Sequence, residues 1–154
     1  MSEVLFYHLE RAALEDVLPG LLEKTRERGW KALVRASSDE RVAALDSHLW
    51  TYRDDSFLAH ATMRDAHPVE QPVLLTAAAG NPNGAEVFFF VDGAAAGDWS
   101  DASLGQAARI VLIFDGRDPA ALEAARENWR QAKAAGHAVT YWQQAAGGKW
   151  EKRA

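Results

Sequence analysis

RIVLIFDG, residues 109–116, is a near-continuous apolar run closed by an acid and a glycine. A strand with one wet face alternates apolar and polar residues, whereas a strand apolar at successive positions is buried on both faces, as at the centre of a parallel sheet covered by helices. The run therefore predicts a central, parallel strand. Just after it, Asp118 and Pro119 have the residue types that cap and begin a helix, which is predicted to run to about Ala135 and stop at Gly136. HAVTYWQQ (137–144) then predicts a last strand, and AAGGKWEKRA (145–154) a flexible or loosely docked tail.

Working back from the same run, SDASLGQAA (100–108) reads as a short helix, and PVLLTA (72–77) and EVFFFVD (86–92) read as strands. Between those two, GNPNG reads first as a tight turn. Residues 51–71 carry His60, His67 and Pro68 with Tyr52, Phe57, Leu58 and Met63 interspersed, and they predict a long irregular connection, a place where function often sits. Further back, SSDERVAALDSHLW predicts a helix with Ser37 and Glu40 at capping-box spacing, preceded by a strand in WKALVRA (30–36). Leu14, Val17, Leu18, Leu21 and Leu22 set a helix within 11–28, which Pro19 is expected to start or kink and Gly29 to stop. VLFYHL (4–9) predicts the first strand. The order β-α-β-α-loop-β-β-α-β-α-β specifies one three-layer α/β domain over residues 1–144 with a mostly parallel sheet.

With 154 residues, 48% hydrophobic and 25% charged, the chain has the usage of a globular protein that folds without staples. It has no cysteine, which removes disulfides, thiolate metal sites and cysteine nucleophiles and fits a reducing cytoplasm. MSEVLFYHLERA lacks the basic and apolar regions of a secretory signal, and no stretch approaches the roughly 18 apolar residues of a membrane span. A net charge of −5 argues against a broad electrostatic grip on nucleic acid, so an anionic partner must be met by a local patch.

The turn after the first strand, HLERAALED, has no glycine cradle for phosphate, and Glu10 would repel one. Asp115 resembles a magnesium-holding acid but has no partner loop. The five histidines form no HExxH and no i, i+4 metal pair, and Ser100 and Ser103 lack a nucleophile elbow. No cofactor, metal or catalytic residue is therefore assigned. An α/β fold without cradle, base or metal reads as a binding module. The alternative is a small enzyme acting on an anionic metabolite through His60, His67 and Asp65, or through Asp115.

Two groups of residues remain. On the helix from 119, Ala125, Trp129 and Ala132 fall on the stripe facing the sheet, while Arg126, Arg130 and Lys133 run along one edge. A tryptophan at the seam between core and basic edge suits a short peptide with an aromatic anchor and a negative terminus, although basic residues near a helix C-terminus are also an ordinary solvated flank. The second group is LDSHLWTYRDDSFLAHA, whose Trp50, Tyr52, Phe57 and Leu58 form either a protein interface or a loop folded on its own core.

Together with FYHLERA, Gly29-Trp30-Lys31, PVLLT and ARENWRQAKAAGH, these groups resemble the chi subunit of bacterial DNA polymerase III over nearly the whole chain. LW followed by SFLAH is similar to the family's LW-x(n)-SF-hydrophobic-P-H, with Ala59 in place of the proline, and Asn128 stands where a second arginine is common. The resemblance implies a nucleotide-hydrolase-like fold without nucleotide chemistry and a non-catalytic bridge in the clamp loader. It implies two partners: the acidic C-terminal tail of the single-stranded-DNA-binding protein, at Arg126, Trp129 and Arg130, and the psi subunit or a competing helicase, at Trp50 and Phe57. Lys133 joins the tail site by helical spacing. DNA would be reached only indirectly, and no membrane is involved.

Overall fold

A computed structural model describes residues 3–10, 12–52, 59–65, 67–94, 98–100, 104, 107–145 and 149–154. Its strands are β1 (Glu3–Leu9), β2 (Ala32–Arg35), β3 (Ala61–Thr62), β4 (Val73–Thr76), β5 (Val87–Phe90), β6 (Arg109–Asp115), β7 (Ala138–Gln144) and β8 (Trp150–Lys152). Three helices follow through the described residues: α1 (Leu14–Glu27), α2 (Asp39–Thr51) and α3 (Pro119–Ala134). The strands form one eight-stranded sheet in the order β3-β4-β2-β5-β6-β1-β7-β8, parallel except for β8 against β7. No helix among the described residues is long and apolar enough to cross a membrane.

The central position of RIVLIFDG is as the sequence predicts, with β6 between β5 and β1. Its side chains divide between two cores: Val111 and Ile113 pack with α1 and α2 on one face, and Ile110, Leu112 and Phe114 with α3 on the other. That division is why the strand has no polar alternation. α1 contributes Leu14, Leu18 and Leu22 and α2 contributes Val42, Leu45 and Leu49 to the first core, while α3 contributes Ala125 and Ala132 to the second. The small residues of α3 bring its axis close to the sheet and leave room for Trp129 at its margin.

Several local features differ from the sequence reading. α1 begins at Leu14, five residues before Pro19, so the proline neither starts the helix nor prevents it. A proline removes the N–H that would bond the carbonyl four residues earlier. That carbonyl, on Glu15, is taken instead by His48 Nε2 of α2 at 2.7 Å. α2 is capped by Ser38, whose side chain accepts from Arg41 N at 3.2 Å, and not by Ser37. The offset puts Arg41 where the capping box would need Glu40, and the arginine reaches outward to Asp92 and Glu15, each at 2.8 Å.

Gly84 N donates to Asn81 O, so GNPNG does contain the predicted turn. The strands it separates do not pair with each other; β4 and β5 flank β2 on opposite sides. Buried Asn83 pins the connection by donating to the carbonyls of Ala32 and Gln71, both at 3.1 Å. Within the irregular 51–71 connection, β3 adds a short edge strand and residues Pro68–Glu70 a 3-10 turn. The chain end, expected as a loose tail, supplies β8, and Trp150 stacks on Tyr7 with ring centroids 4.8 Å apart. Most of 100–108 lies outside the described residues.

α1 and α3 end alike. Gly29 (φ 76°) and Gly136 (φ 91°) take the left-handed conformation after each helix. Trp30 N then returns to Thr25 O with Gly29 N on Arg26 O, and His137 N to Ala132 O with Gly136 N on Lys133 O, in each case the paired bonds of a Schellman stop. At the other end of α3, Asp118 accepts from Ala120 N at 3.0 Å and Pro119 fills the first turn. Asp118→Ala should cost about 1 kcal/mol, read as a fall in Tm of roughly 2–4 °C; an unchanged Tm would show that solvent replaces the cap.

Candidate functional site

The rotation of α3 gives it two different flanks over the sheet. On one flank, Trp129 is half-buried, with its ring 5.4 Å from Phe6 and 5.9 Å from Tyr141 in edge-on contacts. Lys133 places its ammonium 6.0 Å from the same ring. Arg126 is exposed, makes no ion pair among the described residues, and lies near enough to Tyr141 to favour its phenolate. Burial outweighs that effect and pushes the Tyr141 hydroxyl up. Arg130 is turned away along the helix and pairs with Glu127, which it holds below the usual carboxylate range. The structure thus brings Arg126, Trp129 and Lys133 to one place and engages Arg130 elsewhere.

Asn128, at the position of the family's second arginine, accepts from Trp99 Nε1 at 3.0 Å. It is committed to the packing of buried Trp99, so its side chain does not extend the cationic edge.

Sequence reasoning missed two members of this flank, His8 and Tyr141. His8 Nδ1 and the Tyr141 hydroxyl are 2.5 Å apart, and the imidazole packs 5.1 Å from Phe114. His8 Nε2 lies 3.1 Å from the Glu10 carboxylate without a hydrogen bond. The signal was present in the alternation of β1 and β7: Phe6 pairs with Tyr141, and His8 follows Phe6 on the same face. Burial lowers the His8 pKa, against the opposing pull of Glu10 and Asp115.

A histidine whose folded pKa lies below its unfolded value binds its proton more readily when unfolded. Its stabilising contribution is complete above about 6.5 and is lost as the pH falls through the depressed folded value. Urea midpoints should therefore decline below that pH in the parent chain and decline less in His8→Leu; identical slopes would remove His8 from the account.

The other flank of α3 borders a crevice of about 650 Å³ at the carboxyl ends of the strands. This is where open α/β sheets bind ligands. Here its rim carries Glu15, Asp92, Asp115 and Asp118 against Arg41 and Arg117. Asp115 is bound by Arg117 at 2.9 Å, which holds its carboxyl down, and Arg41 is spanned by Glu15 and Asp92. The excess of carboxylates disfavours an anionic metabolite.

The remaining enzyme candidates are dispersed. The His60 ring is buried against Asp46, with Nε2 3.1 Å from its carboxylate. Asp65 accepts from Thr62 N at 2.7 Å, and His67 occupies a left-handed turn position. Among the described residues no cluster of three potential metal ligands occurs.

At the other end of the sheet, Trp50 is 52% exposed and its ring lies tilted against that of His60, centroids 4.5 Å apart. Met63 and Val69, also exposed, come from the segment that builds the β3 edge. Phe57 lies outside the described residues.

The model of the family described as DNA polymerase III chi subunit, HolC, matches residues 1–140. The chain belongs to the chi subunit family. A curated relative, the probable DNA polymerase III subunit chi of Rickettsia prowazekii (strain Madrid E), is 26% identical over 91 residues, 59% of this chain. The match spans about half the length of that relative, 55%. Chi is an accessory subunit of DNA polymerase III, not its catalytic chain. In this chi-family chain the LW motif ends at the exposed Trp50, and the RENWRQ motif supplies Arg126 and Trp129.

Proposed function

We propose that this chi-family chain bridges the C-terminal tail of the single-stranded-DNA-binding protein to the clamp loader during DNA replication, without catalysing a reaction. One observation carries the reading: Trp129 is half-buried between Tyr141 and Lys133, with Arg126, which makes no ion pair among the described residues, beside it. An aromatic end group would desolvate against Trp129, and a carboxylate would find Arg126 and Lys133 within the same small area. Arginine forks suit carboxylates, and aromatic anchors supply most of the contact energy of small interfaces.

The exposed Trp50, set on buried His60, supports a second contact, with psi or another clamp-loader component. Phe57, six residues beyond the end of α2 by sequence and part of the same motif, is proposed as part of that contact. A chain with two such surfaces would hold the loader near DNA through effective concentration even where each contact is weak. The deciding experiment is a titration with an acidic peptide ending in phenylalanine, at low salt, for the parent chain and Arg126→Ala. Tight binding by the parent and loss in the variant support the assignment; equal affinities reject it.

A further inference from the structure

A second cavity, this one cationic, lies on the opposite face of the sheet from α3. It encloses about 240 Å³ between the end of α1, the start of β6 and the returning chain end. Its floor is apolar, made by buried Val87, Phe89 and Val111. Its walls are aromatic: Trp30 on one side and the stacked pair Tyr7–Trp150, inclined by 26°, on another. Around them stand Lys24, Arg28 and Arg109.

The Arg28 and Arg109 guanidinium carbons lie 5.2 and 5.7 Å from the centroid of the Trp30 ring, so one indole holds both. Lys24 and Arg28 are exposed and form no ion pair among the described residues. Among the described residues the acid paired with Arg109 is Glu3, at 3.7 Å, and the buried Arg109 Nε has no hydrogen-bond partner among them. In a chain of net charge −5 this is a local reversal of sign. The helix dipole accounts for basic residues at the end of α1, but not for Arg109, which begins a strand.

The volume falls below the roughly 300–1,000 Å³ of ordinary small-molecule sites and suits one flat ring system. Flat aromatic walls with cations from two elements match a base with a phosphate on either side, whereas a peptide end offers a single terminal carboxylate. Stacking on aromatics inside a positive groove is how unpaired strands are held without sequence preference. We propose that this cavity takes an unpaired base of single-stranded DNA, with the adjoining phosphates on Lys24, Arg28 and Arg109. The site is separate from the Arg126 edge and adds a direct contact to a bridge that otherwise reaches DNA only through the tail.

The test is fluorescence anisotropy of a labelled oligothymidylate with the full chain. Binding is expected in the weak range of about 10⁻⁴–10⁻⁶ M, with a log–log salt slope of about −1.4 for the two adjoining phosphates at about −0.7 each. The double variant Lys24→Ala/Arg28→Ala, at exposed positions, should bind at least about tenfold more weakly with an unchanged melting curve. Arg126→Ala should bind as the parent does, and a duplex of the same length more weakly than the single strand. No binding at low salt, parent-like binding by the double variant, or equal binding of duplex overturns the proposal. Displacement of the oligomer from Arg126→Ala by the acidic peptide would assign the cavity to a peptide and also overturn it.

Discussion

Arg126→Ala is expected to weaken binding of an acidic, phenylalanine-terminated peptide by about ten- to a hundredfold. A hydrogen bond to a charged group contributes about 1.5–3 kcal/mol, and each 1.4 kcal/mol is roughly tenfold in affinity. Arg126 is the cleanest position for the test because it is exposed and has no structural ion pair to lose among the described residues. Trp129→Ala would confuse binding with folding, since its ring packs on Phe6 and Tyr141. Arg130→Ala should have the smaller effect, because Arg130 must first leave Glu127. Affinity should fall with added salt, as expected for ion pairing at a solvent-exposed rim. Parent-like affinity in Arg126→Ala would move the tail site away from α3 altogether.

Gly116→Ala is expected to give the largest loss of stability from a single added methyl group. A β-carbon at Gly116 would lie 1.7 Å from His8 Nε2 and 1.9 Å from its Cδ2. The ring has little freedom to withdraw, because Tyr141 holds its other nitrogen and Phe114 lies against its face. Overpacking of this kind costs about 1–3 kcal/mol, or roughly 2–12 °C in Tm for a chain of this size. Adding His8→Ala should restore most of the loss, a strongly non-additive pair. If Gly116→Ala melts with the parent, the imidazole moves freely and the His8–Tyr141 contact is not a fixed part of the site.

The sequence was most informative where a local rule has one physical solution. An unbroken apolar strand needs cover on both faces, and β6 has it from α1 and α2 below and α3 above. Asp-Pro before a helical pattern and Gly after it marked both ends of α3, because the caps are satisfied within a few residues. The same periodicity placed Trp129 at the margin of the apolar stripe and Arg126 beside it, where they stand.

Features that depend on distant partners were hidden. Pro19 looked like a helix boundary until His48, from another helix, satisfied the carbonyl it frees. Arg130 shared the spacing of Arg126, but the rotamer that joins it to Glu127 is not written in the spacing. His8 and Tyr141 lie 133 residues apart and meet only because β1 and β7 pair in parallel. Residues at the end of the chain read as a tail, yet β7 offered an open edge on which they could form β8.

By itself the sequence determined the layered α/β class, the central strand, the limits of α3 and the family to which the chain belongs. These follow from periodicity, capping and motif, all short-range. Only the tertiary structure decided which cations beside Trp129 make no ion pair among the described residues, that Asn128 serves Trp99, and that Arg28 and Arg109 converge on Trp30 in a cavity that Lys24 also lines. Strand pairing brings together residues that no local pattern connects, and a charge acquires its role from the groups placed around it in space.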